Sequence, residues 1–306
     1  MKFKLIFAMA GLAAALSGEA AEVAFKPVVP GVFVFIGETD GRTYANEGLN
    51  ANMGLVETKD GAVLIDSGAS FEGARQIAQA ASKVTSQPIN WVINTGGQDH
   101  RWLGNGYFKA QGAQIIAHQD ALPDMKARAL EQSTVLAAVL KEKFQGTEPV
   151  YPTRLLSAET TRLELGGVAL EVWHRHGGHT PGDSIVWLPT QRIAFTGDIV
   201  YVDRVLGLHP VSKSKNWLDS FAMLEALQPQ WIVPGHGAVA DLPKAQAQTR
   251  DLLMALRAHM GKAVESGQDL SAAVKSFNAQ AFKGLQHADV WTPQLANQTY
   301  LEIEQE

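Results

Sequence analysis

Cysteine is absent from the 306 residues, so the chain has neither a disulfide nor a thiolate metal ligand. Stability must come from a large apolar core, and any metal must be held by imidazole and carboxylate. Positive charge is also short: 26 Lys and Arg against 31 Asp and Glu leave a formal charge of -5, which argues against a nucleic-acid partner. Long apolar runs are lacking too. The run at residues 5–16 is shorter than the roughly 20 residues that span a bilayer. It follows Lys2 and Lys4 and precedes Ser17-Gly18-Glu19-Ala20-Ala21, the three-part pattern of a secretory signal over residues 1–21. Cleavage there leaves about 285 residues with a charge of -6, because Lys2, Lys4 and Glu19 depart together. The expectation is a soluble mature chain without membrane contact, periplasmic if the source is Gram-negative.

What is present is a recurrence of short apolar, β-branched runs closed by Gly, Asp or Asn. They fall at 32–36, 62–65, 91–93, 114–117, 168–173, 184–188, 193–195 and 231–233. Helical patterns at 71–82, 123–143 and 217–227 lie between them, so strands and helices alternate. Most strands are apolar on both faces, which predicts sheets buried under helices in a layered α/β domain over 22–240. Residues 241–264 read as one long amphipathic helix, and Asp269 as the cap of another, giving a helical extension over 241–306 that packs on the domain.

The polar residues that interrupt these runs sit at strand ends, where ligands bind in layered α/β folds. Asp66 closes one strand, Asn94-Thr95 another, Asp198 a third, and His236 a fourth after Pro234-Gly235. Gly177-Gly178-His179-Thr180-Pro181-Gly182-Asp183 forms a tight turn that projects His179. Taken singly, a buried Asp caps a turn and a lone His fills a core. Taken in this order and spacing, His179, Asp198 and His236 point to a metal site.

At these residues the chain resembles the metallo-β-lactamase superfamily, from about residue 30 to 238. The resemblance implies a four-layer αββα sandwich. Members carry a His-x-His-x-Asp-His loop after an Asn-Thr strand end; here the loop is Asn94-Thr95-Gly96-Gly97-Gln98-Asp99-His100-Arg101-Trp102-Leu103-Gly104-Asn105. In an ungapped register the two leading histidines become Gly96 and Gln98, the Asp becomes His100, and the last His becomes Arg101. With one gap, Asp99 and His100 match the Asp-His pair. By resemblance His179 is a ligand of the first metal, Asp198 a bridging carboxylate, and His236 a ligand of the second. The first site has lost much of its set, whereas the second keeps His100, Asp198 and His236, with Asp99 a further candidate ligand in the gapped register. The loop and the tail through residues 267–271 look like the quinoprotein relay system zinc metallohydrolases, a periplasmic branch that would place the chain near a quinoprotein dehydrogenase or cytochrome.

Three protein ligands with an open position suit one catalytic zinc ion, and the ligand types admit iron or manganese. Such an ion lowers the pKa of bound water toward ~7 and polarises a carbonyl. The expectation is therefore a hydrolase that attacks a small ester, thioester or lactam with metal-bound hydroxide. Asp99 is the candidate to orient the water or take its proton, while Arg101, Trp102 and Arg204 are candidates for substrate contact. Asp66 and Asp183 are expected to brace the loops. His174 and His176 read as strand-end packing. The alternative is a non-catalytic metal-binding or ligand-binding accessory protein of a periplasmic oxidation system.

Overall fold

The computed structural model describes residues 23–306, so the expected signal at 1–21 lies outside the described residues. Seven strands form one sheet in the order of the chain: β1 Lys26–Val29, β2 Val32–Phe35, β3 Met53–Thr58, β4 Gly61–Ile65, β5 Ile89–Asn94, β6 Gln114–His118 and β7 Arg154–Leu156. Its pairing is antiparallel through β4 and parallel from β4 to β7. Five strands form the second sheet: β8 Thr160–Leu165, β9 Val168–His174, β10 Ser184–Leu188, β11 Ile193–Phe195 and β12 Trp231–Val233. The β8–β9 hairpin turns through Gly166 and Gly167, both left-handed as a two-residue hairpin requires.

Helices cover both sheets. They are α1 Phe71–Ala81, α2 Asp99–Trp102, α3 Asn105–Ala110, α4 Ala121–Leu140, α5 Ser214–Leu227, α6 Leu242–Ala245, α7 Asp251–Glu265, α8 Leu270–Ser276 and α9 Ala288–Glu304. Apolar side chains divide accordingly. Val63, Ile65, Ile93 and Ile116 of the first sheet meet Leu170, Val172, Val186 and Phe195 of the second, filling the space between the sheets. Alternate residues of the first sheet, such as Leu64 and Val92, pack on Ile77 of α1 and Phe108 of α3. On the outer face of the second sheet, Ile185 and Ile232 share a cluster with Phe221, Leu256 and Leu295. The result is the αββα sandwich.

The single helix expected over 241–264 runs from Leu242 to Glu265, with a π-helical turn, Gln246–Arg250, between α6 and α7. Its extra residue brings buried Thr249 to the backbone of Tyr201, whose N–H donates to Thr249 Oγ1 at 3.0 Å and whose carbonyl accepts from it at 2.6 Å. The tail is thereby tied to the segment that follows Asp198. Asp269 caps α8 through the Ala272 N–H as expected. None of the described helices is long and apolar enough to cross a membrane.

Candidate metal centre

Parallel pairing of β11 with β12 brings two ligand-bearing strand ends together. Beyond them the chains stay paired: Gly235 N–H donates to Val200 O and Val202 N–H to His236 O. Asp198 sits in the short turn Gly197–Ile199, where Gly197 is left-handed and an added Cβ would collide with Thr95. His100 comes from α2, the loop that follows β5. His100, Asp198 and His236 thus converge, each buried, with ligand atoms within 4.8 Å of one another.

The donor set fits a cation. His236 Nδ1 lies 2.7 Å from the Asn50 carbonyl, an acceptor only, so Nδ1 must carry the ring proton. Burial pushes the His236 pKa down to about 3, so the ring is neutral, and its bare Nε2 faces Asp198 Oδ1 at 3.3 Å. A lone pair aimed at a carboxylate is repulsive unless a positive ion lies between them. His100 Nε2 faces the other oxygen, Asp198 Oδ2, at 3.1 Å. Asp99 Oδ1 lies 3.2 Å from His100 Nδ1, the carboxylate–imidazole bracing typical of metal ligands.

Below the carboxylate, Arg101 spends all five N–H donors inside the protein. It reaches Asp198 at 2.7 and 3.1 Å, Asp66 at 2.9 Å, and the carbonyls of Asn52 and Gly235 at 3.1 and 3.2 Å. Burial favours neutral Asp198, but Arg101 and the neighbouring histidines outweigh it and hold the carboxyl well below its usual range. Arg101 is therefore a fixed cation under the ligand carboxylate, and the substrate contact expected of it is corrected. Trp102 is likewise turned into the core, with its indole N–H donating to Gly97 O and Gln132 Oε1.

Asp99 also departs from expectation. Its carboxylate accepts from the His100 backbone N–H at 2.7 Å, from Gln98 Nε2, and from Arg42. Although burial works against ionisation, Arg42 and His100 keep the carboxyl far below its ordinary value, which makes it a poor proton acceptor. It positions His100 rather than taking a proton. Gly96 has no room for a side chain, because a Cβ would strike the Asp183 carboxylate. Gln98 hydrogen-bonds in the loop through Arg128 at 3.0 Å. Asp66 and Asp183 brace as expected: Asp66 accepts from Thr95 N–H at 2.7 Å, and Asp183 from Thr180 N–H at 2.7 Å.

His179 stays outside the three-ligand group. Its buried ring packs among Tyr201, His209 and Trp217, and neither ring nitrogen has a hydrogen-bond partner among the described residues. It lines, with His100 and His236, a cavity of about 1040 Å³. Arg204, expected at the substrate, is on that wall, its guanidinium 4.5 Å over the Trp291 ring and 3.4 Å from His236 Nδ1. Further wall comes from Arg42 and from the tail helices, which bring Leu270, Val274 and Leu295 together with polar Lys275 and Gln294. Sequence reasoning missed Arg42, Asn50 and His209. A lone Arg in a polar loop 58 residues before His100 gives no local signal of the contact.

A buried His-Asp-His group at the strand ends of an αββα sandwich defines a class of metal-dependent protein. The profile of the Metallo-beta-lactamase superfamily matches residues 46–236, and the chain belongs to that superfamily. A type 2 metallo-beta-lactamase of Bacillus sp. (strain 170) is 27% identical over 202 residues, 65% of this chain and 71% of that protein. Among solved structures, a metallo-beta-lactamase from Pontibacter korlensis is 25% identical, with a TM-score of 0.59 over 76% of this chain and 99% of its own. The sec-alkylsulfatase Pisa1 from Pseudomonas sp. is 17% identical, with a TM-score of 0.72 over 91% of this chain and 50% of its own, a likeness of fold.

Proposed function

We propose that the protein is an exported, periplasmic metal-dependent hydrolase acting on a small ester, thioester or lactam that carries an anionic group. The observation that carries this reading is the bare Nε2 of His236 facing the Asp198 carboxylate opposite His100, on the wall of a large cavity. His100, Asp198 and His236 would hold the ion, zinc by preference, with iron or manganese compatible with the same donors. A zinc ion would supply an acidified water and a Lewis acid for the carbonyl.

The chain's own groups supply the rest. Arg101 keeps Asp198 ionised, and Asp99 with Arg42 keeps the His100 ring oriented. Arg204 pairs with no carboxylate among the described residues and lies against an aromatic bed, a site for the substrate's anionic group. His179, with both nitrogens free, hydrogen-bonds the substrate across the cavity. The apolar tail residues take its hydrocarbon part and exclude water. The pattern of residues 1–21 supports export, and the loop's likeness to quinoprotein relay hydrolases supports a place beside a periplasmic quinoprotein dehydrogenase or cytochrome.

Turnover of p-nitrophenyl acetate, a thioester and a β-lactam by the purified chain tests the reading. Hydrolysis of one of them should vanish with chelator, return with zinc, and fall at least about 100-fold in Asp198→Asn, as loss of transition-state charge stabilisation demands. Hydrolysis indifferent to both treatments would overturn it.

A further inference from the structure

A second cluster of ligand-type side chains lies apart from the cavity. His118 ends β6 in the seven-stranded sheet, His174 ends β9 in the five-stranded sheet, and Asp120 precedes α4. Ligand atoms of the three lie within 4.8 Å of one another. The imidazoles stack with centroids 3.7 Å apart. Asp120 Oδ2 lies 3.1 Å from His174 Nε2 and 3.6 Å from His118 Nδ1.

Packing alone does not account for this arrangement. His118 is 3% exposed; its Nδ1 accepts the Asp120 backbone N–H at 3.4 Å, and its Nε2 is buried without a hydrogen-bond partner among the described residues. Buried polar atoms are rarely left so. His174 Nδ1 lies 2.9 Å from the Asp183 carbonyl, which accepts its N–H and leaves Nε2 as the free ligand atom turned to Asp120. Asp120 meets no Lys or Arg among the described residues; its only ionic neighbours are these two rings. With its side chain half exposed, it also opens a path from solvent to the buried nitrogens.

We infer that His118, Asp120 and His174 form a second divalent-cation site, suited to zinc by two imidazoles and one carboxylate with water completing the shell. The ion would join the end of β6 to the end of β9 and so clamp the two sheets beside Asp183, which braces the loop of His179. For both imidazoles to reach one ion the stacked pair would have to open by ring rotation, since the rings now lie 20° from parallel. The role is structural, and it is independent of the hydrolase reading.

The test uses zinc alone as probe, with the full chain stripped by chelator and carrying His236→Ala to disable the first centre. Titration should show one zinc bound per chain and a raised melting temperature. Asp120→Asn, at a half-exposed position that spares the core, and His118→Asn should each weaken that binding at least about tenfold, as loss of a ligand demands. They should also abolish the thermal shift, with an unchanged circular dichroism spectrum showing that the fold persists. Absence of zinc binding, or one zinc held equally well by both variants, would overturn the site.

Discussion

Arg101 bears most on the chemistry while never touching the cavity. Its guanidinium compensates two buried carboxylates, Asp66 and Asp198, that nothing else neutralises to the same degree. Arg101→Met leaves both charges without their partner and should cost about 3–5 kcal/mol in a urea titration. A cost below about 1 kcal/mol would mean that the carboxylates are paired in some other way. The histidines set the response to acid in the metal-free chain. Burial depresses His118 to about 4 and His236 to about 3, and holds His179 well below its usual value. A depressed folded-state pKa gives stability that is complete above ~6.5 and is lost as pH falls toward the folded value. His209 is lowered by burial in the same way, whereas Asp183, raised to about 8 by burial and the nearby Asp198, and Asp66, raised by burial, act in the opposite sense, two groups against four. The urea midpoint of chelator-treated protein should therefore decline from pH 6.5 to 4; a flat or rising midpoint would contradict these environments.

Among elements, the π turn ahead of α7 explains how a helical tail takes part in a site built on strand ends. Thr249 fills both backbone groups of Tyr201, whose ring stacks 4.8 Å from that of His236. Thr249→Val strands those groups and should destabilise the chain by about 1–3 kcal/mol while raising KM more than it lowers kcat. Equal stability of the variant would show that the turn is incidental. The π turn was not legible in the sequence, since a periodic apolar stripe runs through residues 241–264 whether or not one residue bulges. The buried strands were legible because they are apolar on both faces. The edge strands β7 and β8 were not, because outward residues such as Thr160, Arg162 and Glu164 are polar and blur the run. Asp198 and His236 stood out by their place at strand ends, and His100 only by the loop's resemblance to the superfamily motif. The role of Asp99 depended on α2 turning its carboxylate onto the next N–H, a local conformation that the two registers of the loop left open.

At the scale of the whole molecule, the tail is part of the domain. Leu252, Leu256, Phe282 and Leu295 share one buried cluster with Ile185, Trp217 and Phe221, so residues 241–306 complete a core rather than decorate it. A chain ending at residue 240 exposes that apolar face and should accumulate as aggregate, read by its sedimentation after expression. A soluble, monomeric truncation with native circular dichroism would show the tail to be dispensable. The tail also closes the cavity through Leu270, Val274 and Leu295, and this contribution was hidden in the sequence because those residues lie far along the chain from His100.

If His100, Asp198 and His236 hold a metal on which hydrolysis depends, metal and activity must be lost together. Elemental analysis of the purified chain beside His236→Ala, with turnover measured on the same samples, tests it most directly. The variant should lose one metal equivalent per chain and its hydrolytic activity together. Unchanged metal content with unchanged turnover in His236→Ala would contradict it.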